Sequence, residues 1–196
     1  METLLAADEK VFLWINGRVG TFPPFDRAME WVVSDYLVPV AFVMTLLALW
    51  FGSGDRARRL GHQIGIFAAF GSMGFSSLAV FIINGAYFRP RPFVDNDVSL
   101  LFYQPTDSSF PANAMAATFG IAFGIWGVNR RVGSALIAVA TLFAFSRVYA
   151  GVHYPLDTVA AAMIALVITF LVYKLRDLLG PIPRWVVQMI RVLVLA

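Results

Sequence analysis

The segment SRVYAGVHYPLD, residues 146–157, contains residue types that can bind and transfer a phosphoryl group: Arg147, His153 and Asp157. A histidine can act as a nucleophile, and a carboxylate about one helical turn away can fix its tautomer. An arginine can hold the oxygens of a tetrahedral anion through two parallel hydrogen bonds. The segment therefore predicts attack by His153 on phosphorus, with Asp157 as the supporting acid.

The segment SSFPANAMAA at residues 108–117 predicts a second part of the same site. Small polar residues, a proline and an asparagine precede a long apolar run, which is typical of a phosphate-binding turn at a helix start. Ala114 stands where a histidine for acid–base chemistry would be expected. Arg91, in the segment FRPRPF, can bind the same anion as Arg147, although either arginine alone would equally suit a rim that binds lipid headgroups nonspecifically.

The composition identifies the chain as a membrane protein. Its 196 residues are 59% hydrophobic and only 14% charged, whereas soluble domains have about 45–50% apolar and about 25% charged residues. The net charge of +3 therefore indicates membrane topology and not a nucleic-acid partner. The sequence has two histidines and no cysteine, so neither thiol chemistry nor a multi-histidine metal site is predicted, and no cofactor is expected.

Five stretches without Asp, Glu, Lys or Arg are candidate membrane spans, because a spanning helix needs about 20 apolar residues. We expect an all-α integral membrane bundle of about five to six transmembrane helices within residues 36–178, followed by a C-terminal surface helix at 179–196. Small residues such as Gly120 and Gly124 are expected to let helices pack closely. The charge-free stretches are residues 36–52, 60–88, 108–129, 132–146 and 158–173.

The N-terminal region, residues 1–35, does not fit the pattern of a signal peptide, because charged residues at 8–10 interrupt its apolar stretch. We predict two interfacial helices there, at about residues 5–17 and 25–35. Aromatic residues are expected to lie at the level of the lipid headgroups. They are Phe12, Trp14, Phe22 and Phe25.

The charge distribution predicts which side of the membrane each loop faces. The loops at 53–59 and 129–131 and the segment after residue 173 are rich in arginine and lysine, which makes them cytoplasmic by the positive-inside rule. The segments 89–107 and 147–157, which hold candidate site residues, then face away from the cytoplasm. We therefore predict a multi-pass protein of the inner or plasma membrane with an extracytoplasmic site.

Residues 146–157 match every specified position of the signature S-R-x-x-x-G-x-H-x-x-x-D, so the chain resembles the type 2 phosphatidic acid phosphatase superfamily. FRPRPF at 88–93 resembles the end of the family's first motif, K-x-x-x-x-x-x-R-P. SSFPANA at 108–114 resembles the second motif, usually P-S-x-H. The resemblance covers roughly residues 60–175 and looks most like the bacterial undecaprenyl-pyrophosphate phosphatase branch.

The resemblance implies a membrane phosphatase that hydrolyses a polyprenyl diphosphate, with undecaprenyl pyrophosphate as the first choice, or a related lipid phosphate. His153 would form a phosphohistidine, Asp157 would orient it, and water would release phosphate. No metal is expected in this family. The phosphoryl oxygens would be held by Arg91, Arg147 and the backbone N–H groups around Ala112 and Asn113.

Three positions depart from the family's pattern. Asn84 stands at the lysine position of the first motif, so a hydrogen-bond donor replaces a positive charge. Ala112 replaces the usual serine, and Ala114 replaces a histidine that would protonate the leaving oxygen. Because general acid catalysis contributes about 10²–10⁴-fold, Ala114 predicts a slow phosphatase with an intact nucleophile.

Two other functions stay open. A non-catalytic lipid-phosphate binder, carrier or scramblase would need Arg91 and Arg147 but has little need for the spacing of His153 and Asp157. A vanadate-dependent oxidase would share the anion site, although the short chain with five spans disfavours it. Ala114 fits either an engineered substitution in a phosphatase or a natural loss in a binder. The oligomeric state does not follow from the sequence.

Overall fold

The computed structural model describes residues 2–52, 54–178 and 189, and all regular structure in this part of the chain is helical. This confirms the predicted all-α class. The predicted surface helix at 179–196 lies outside the described residues, apart from residue 189. The helices are α1 (Glu2–Asn16), α2 (Pro23–Val33), α3 (Leu37–Phe51), α4 (Arg56–Ala86), α5 (Pro92–Asp95), α6 (Asn113–Trp126), α7 (Arg130–Tyr149) and α8 (Pro155–Leu178).

Three helices of the described chain, α4, α7 and α8, are long and apolar enough to cross a membrane. Helices α2 and α3 meet at a bend of 56° and together qualify as a fourth span. The predicted fourth and fifth stretches do extend into their flanks, which gives α7 its 20 residues and α8 its 24. The multi-pass architecture is therefore confirmed, with fewer full-length spans than the predicted five to six.

The difference arises at α6, which occupies the predicted span at 108–129. Its 14 residues extend about 21 Å, short of the roughly 30 Å of a bilayer core. Residues 108–112 before it are irregular, and such backbone is tolerated at membrane depth where protein surrounds it. The helix that follows them is surrounded by protein, because α6 packs against α4, α7 and α8. Its residues Met115, Ala122 and Ile125 are fully buried.

The contact between α4 and α6 depends on two small residues. A Cβ atom at Gly124 would lie 2.5 Å from the Cα of Ala69 on α4. One at Gly120 would lie 3.0 Å from the backbone of Ser72. The two helices therefore touch backbone to backbone, which confirms the predicted role of these glycines.

Helix α1 packs one face against the rest of the bundle, so the aromatic residues predicted for the headgroup level differ in their exposure. Phe12, predicted for that belt, is fully buried and meets the ring of Tyr154 edge-on at 5.3 Å between centroids. Asp8 and Asn16, one turn away on either side, are also buried and form one face with Phe12. Trp14, Phe22 and Phe25 are exposed, as the belt requires.

We expect Gly124→Ala to lower the free energy of unfolding by roughly 1–2 kcal/mol, because the clash with Ala69 outweighs the better helix propensity of alanine. Thermal unfolding in detergent, followed by tryptophan fluorescence, measures this change. Gly74→Ala on α4 is the matched control, since an added Cβ there meets nothing within 4 Å. Equal melting temperatures for the two variants would contradict the proposed packing.

Candidate active site

Loops and adjoining helix ends at one end of the bundle carry the predicted site residues. His153 lies in the loop between α7 and α8, and Asp157 lies in the first turn of α8. Arg91 caps the short helix α5, and Arg147 lies in the last turn of α7. None of these four residues is more than 5% exposed. The glycine of the signature, Gly151, has φ = +86°, a left-handed turn conformation that brings the chain from α7 round to His153.

The hydrogen bonds of His153 define its tautomer. Nη1 of Arg91 lies 3.2 Å from Nε2, and the main-chain oxygen of Ser109 lies 3.0 Å from Nδ1. An arginine can only donate a hydrogen bond, and a carbonyl oxygen can only accept one. Nδ1 therefore carries the proton, and the lone pair of Nε2 faces Arg91, as a nucleophile directed at a bound anion requires.

Asp157 supports His153 in a different way from the one predicted. Its Oδ2 lies 3.8 Å from Nδ1, beyond hydrogen-bond distance. Oδ1 accepts from Arg89 at 2.6 Å, and Oδ2 accepts from the Ser109 hydroxyl at 2.5 Å and the Tyr154 N–H at 2.9 Å. These donors occupy the carboxylate, so Nδ1–H of His153 donates its hydrogen bond to the Ser109 carbonyl. The predicted direct contact is thus replaced by an indirect one through Ser109.

The surroundings keep His153 neutral. Burial lowers its pKa from the ordinary value of 6.5, because water no longer stabilises the imidazolium. The nearby carboxylate of Asp157 acts in the opposite direction, whereas the positive charges of Arg91 and Arg147 lower the pKa further. The net lowering preserves the unprotonated Nε2 that the tautomer requires.

Both predicted phosphate-binding arginines are paired with acids at the solvent side. Nη2 of Arg91 lies 2.8 Å from Oδ1 of Asp107, and Nη2 of Arg147 lies 2.6 Å from Oδ1 of Asp35. The acidic side chains are 64% and 47% exposed, whereas each arginine side chain is only 5% exposed. A phosphoryl group can therefore replace the carboxylates, which regain their hydration, without exposing either guanidinium.

Arg147 is additionally held by two aromatic rings. Its guanidinium carbon lies 4.4 Å from the ring centre of Phe102 and 4.9 Å from that of Phe143. Its Nε is buried and has no hydrogen-bond partner among the described residues. The rings fix the plane of the guanidinium and leave this donor for an anion.

The start of α6 differs from the expectation in one respect. The N–H of Ala112 was predicted to bind phosphate, but it donates to the main-chain oxygen of Asp157 at 3.2 Å. Ala112 is the N-cap residue and makes no side-chain cap, so the first-turn N–H groups of Asn113 and Ala114 are the remaining donors. Asn84 lies near the end of α4, and its Oδ1 is buried without a partner in the described structure.

Five polar residues of the site received no individual role from the sequence. Arg89 and Ser109 belong to the motif segments, and their position there was the available signal. Asp8 is an ionisable residue in an apolar helix, which is a weaker signal of function. For Asp35 and Asp107 no motif or spacing distinguished them from surface acids.

Apolar helices that carry a buried neutral histidine and paired arginines at one end define a membrane protein suited to phosphoryl transfer. A sequence profile of the PAP2 superfamily matches residues 65–180. The chain belongs to this superfamily and is a membrane lipid phosphatase.

The similarity to individual proteins extends over most of the chain. The sequence is 31% identical over 180 residues to the undecaprenyl-diphosphatase BcrC of Bacillus subtilis, covering 91% of this chain and 89% of that protein. The crystal structure of Aquifex aeolicus LpxE has a TM-score of 0.62 at 25% identity, covering 84% and 93% of the two chains. A PAP2 type phosphatidylglycerolphosphate phosphatase from Bacillus subtilis shares the fold, with a TM-score of 0.64 at 19% identity over 90% and 88%.

The lowered pKa of His153 predicts the pH dependence of activity. A histidine whose pKa is lowered stays unprotonated, and hence nucleophilic, at pH values where a free histidine is largely charged. We therefore expect the acidic inflection of kcat/KM to lie below 6.5 in phosphate-release assays between about pH 5 and 8. Titration of the substrate by phosphorus NMR distinguishes ionisation of the substrate from ionisation of the enzyme. An enzyme inflection at or above 6.5 would contradict the prediction.

Proposed function

We propose that this phosphatase hydrolyses the terminal phosphoanhydride bond of undecaprenyl pyrophosphate, or of a closely related polyprenyl diphosphate, through a phosphohistidine at His153. The observation that carries the proposal is the contact of 3.2 Å between Nη1 of Arg91 and the unprotonated Nε2 of His153. It joins a phosphate-binding cation to a nucleophile. The substrate is supported by the similarity to the undecaprenyl-diphosphatase BcrC.

In the first step, Nε2 of His153 attacks the terminal phosphorus. The new N–P bond forms as the bond from phosphorus to the bridging oxygen breaks, and the electron pair stays on that oxygen, which leaves with the polyprenyl monophosphate. The positive charge that develops on the imidazole is stabilised by the Ser109 carbonyl at Nδ1 and by the Asp157 carboxylate at 3.8 Å. Arg91 and Arg147 neutralise the phosphoryl oxygens.

In the second step, water attacks the phosphohistidine. The N–P bond breaks and its electron pair returns to Nε2 of His153, while the water oxygen and its two protons leave with the phosphoryl group as dihydrogen phosphate. The proton on Nδ1 stays on that nitrogen throughout, hydrogen-bonded to the Ser109 carbonyl, so the same tautomer is ready for the next turnover. The cycle needs only the lipid substrate and water.

Ala114 bears on which substrate the site can cleave. Its methyl group cannot protonate a leaving oxygen, so the leaving group must be stable as an anion. A diphosphate releases a phosphate monoester, whose second pKa is about 6, whereas a lipid monophosphate releases a far more basic alkoxide. The site is therefore better suited to diphosphates, and we infer that even their hydrolysis is slowed.

We place the reaction on the extracytoplasmic side of the inner or plasma membrane. The arginine-rich segments at 54–59 and 129–131 lie at the start of α4 and between α6 and α7, whereas the site lies after α4 and between α7 and α8. The two groups thus lie at opposite ends of the long helices, and the positive-inside rule makes the arginine-rich end cytoplasmic. Hydrolysis there would recycle the lipid carrier of cell-wall precursors.

Restoring the general acid tests the proposal. We expect Ala114→His to raise kcat for undecaprenyl pyrophosphate by about 10²–10⁴-fold, measured as phosphate release in detergent micelles. Ala114→Gln controls for side-chain size without a titratable group. The double variant Ala114→His/His153→Ala is expected to release no phosphate, because the nucleophile is gone.

The same experiment separates the alternative function, a non-catalytic lipid-phosphate binder, carrier or scramblase, which the missing acid at Ala114 favours. Lipid binding without phosphate release by either chain would support the alternative, whereas equal and non-zero turnover of the two chains would show only that Ala114 does not stand in place of a general acid.

The choice of substrate gives an independent prediction. Because an alkoxide needs protonation more than a phosphate monoester does, we expect Ala114→His to increase turnover of polyprenyl monophosphate more than turnover of the diphosphate. Both substrates are to be compared in one detergent preparation. Equal increases would show that the missing acid does not determine the substrate preference.

A further inference from the structure

A row of three buried charges connects the N-terminal helix to the candidate active site. Nη2 of Arg89 lies 2.8 Å from Oδ2 of Asp8 on α1, and Nη1 lies 2.6 Å from Oδ1 of Asp157 on α8. The side chains are 11%, 1% and 0% exposed, respectively. Ion pairs buried to this degree are costly to break, because removal of one partner leaves an uncompensated charge.

Asp8 also holds the start of α8 directly. Its second oxygen, Oδ1, accepts the N–H of Leu156 at 2.9 Å, within the first turn of α8 and one residue before Asp157. The neighbouring contact of Phe12 with Tyr154 fixes the same segment from the apolar side. Helix α1 therefore holds in place the segment that follows His153 at the start of α8.

Arg89 connects Asp8 to three residues next to His153: Asp157, Tyr154 and Ser109. Its guanidinium lies 4.0 Å from the ring centre of Tyr154, and its main-chain oxygen accepts the N–H of Ser109 at 2.9 Å. Ser109 in turn supplies the carbonyl that binds Nδ1 of His153 and the hydroxyl that binds Asp157. A displacement of the guanidinium would move Asp157 and, through the bond between its carboxylate and the Ser109 hydroxyl, the residue that supplies the acceptor of His153.

The second carboxylate explains why the guanidinium stays in this orientation. With Asp157 alone, Arg89 could turn about its contact, whereas carboxylates on both terminal nitrogens fix the plane of its fork. Burial alone would lower the pKa of Arg89, but the charges and hydrogen bonds of Asp157 and Asp8 outweigh burial and raise it. The two carboxylates therefore favour the charged form of the guanidinium that they hold.

We propose that Asp8 is a positioning residue for the reaction, which holds the nucleophile His153 in place through Arg89, Asp157 and Ser109. This inference rests on the proposed phosphohistidine mechanism. It makes α1, which lies outside the matched PAP2 region of residues 65–180, a part of the active-site scaffold.

The test compares kcat, KM and the rate of phosphohistidine formation for the full chain and for Asp8→Asn in detergent, with undecaprenyl pyrophosphate as the probe. A displaced nucleophile slows chemistry more than binding, so we expect kcat and the phosphohistidine rate to fall by about 10- to 100-fold while KM changes little. Asp8→Asn keeps the size of the side chain, which limits the effect on folding.

Asp26→Asn is the matched control. Asp26 is also buried near the N-terminus, where it accepts hydrogen bonds from the Tyr149 hydroxyl and the Gly20 N–H, but it does not contact Arg89 or Asp157. We expect this variant to lower the melting temperature at least as much as Asp8→Asn does and to leave kcat unchanged. Equal losses of kcat in the two variants would reduce Asp8 to a stabilising role and overturn the proposal.

Arg89→Gln and the double variant Asp8→Asn/Arg89→Gln complete a double-mutant cycle. If Asp8 acts through Arg89, adding Asp8→Asn to Arg89→Gln should lower kcat little further. A loss in the double variant equal to the product of the two single losses would contradict the proposal. Failure of the proposed function has a different signature. If the proposed function fails, neither the unmodified chain nor Ala114→His forms a phosphohistidine. If only the positioning role fails, both of these chains keep their turnover, and Asp8→Asn lowers kcat no more than Asp26→Asn does.

Discussion

The rest of the site depends on the buried carboxylate of Asp157. A carboxylate in an interior of low dielectric constant needs a positive charge and several hydrogen-bond donors. Three loops supply them: Arg89 precedes α5, Ser109 precedes α6, and Tyr154 precedes α8. Because donors from all three loops bind the same carboxylate, Asp157 fixes these loops relative to one another. His153 takes its position from the same loops through the Ser109 carbonyl.

The proposed nucleophile and the position of the proposed missing acid belong to separate parts of this arrangement. His153 is held by the loop after α7 and by Ser109, whereas Ala114 lies one residue inside α6 and packs against the apolar core. A methyl group at this position breaks none of the contacts that orient the imidazole. In the proposed mechanism, the loss of an acid would therefore change the chemistry at the leaving group and preserve the geometry of attack on phosphorus, and this difference links Ala114 to the proposed diphosphate substrate.

Much of the fold could be predicted because membrane spans are read from contiguous residues. The all-α class, the helix start at Pro155 and the close contact at Gly124 all follow from apolar length, a proline at a helix start and small residues. The shortness of α6 could not be predicted, because residues 108–112 contain no charged residue and so look like part of the same apolar span. Only their burial among other helices makes an irregular backbone tolerable there.

The sequence by itself determined the candidate reactive residues, because His153, Asp157 and Arg147 lie within one twelve-residue signature with a fixed spacing. Tertiary structure decided their partners. The carboxylate of Asp8 reaches Arg89 across 81 residues and Leu156 across 148, and no local pattern can encode which distant charge will balance a buried arginine. That choice is made only when the helices pack, because burial is what obliges each charge and each polar group to find a partner.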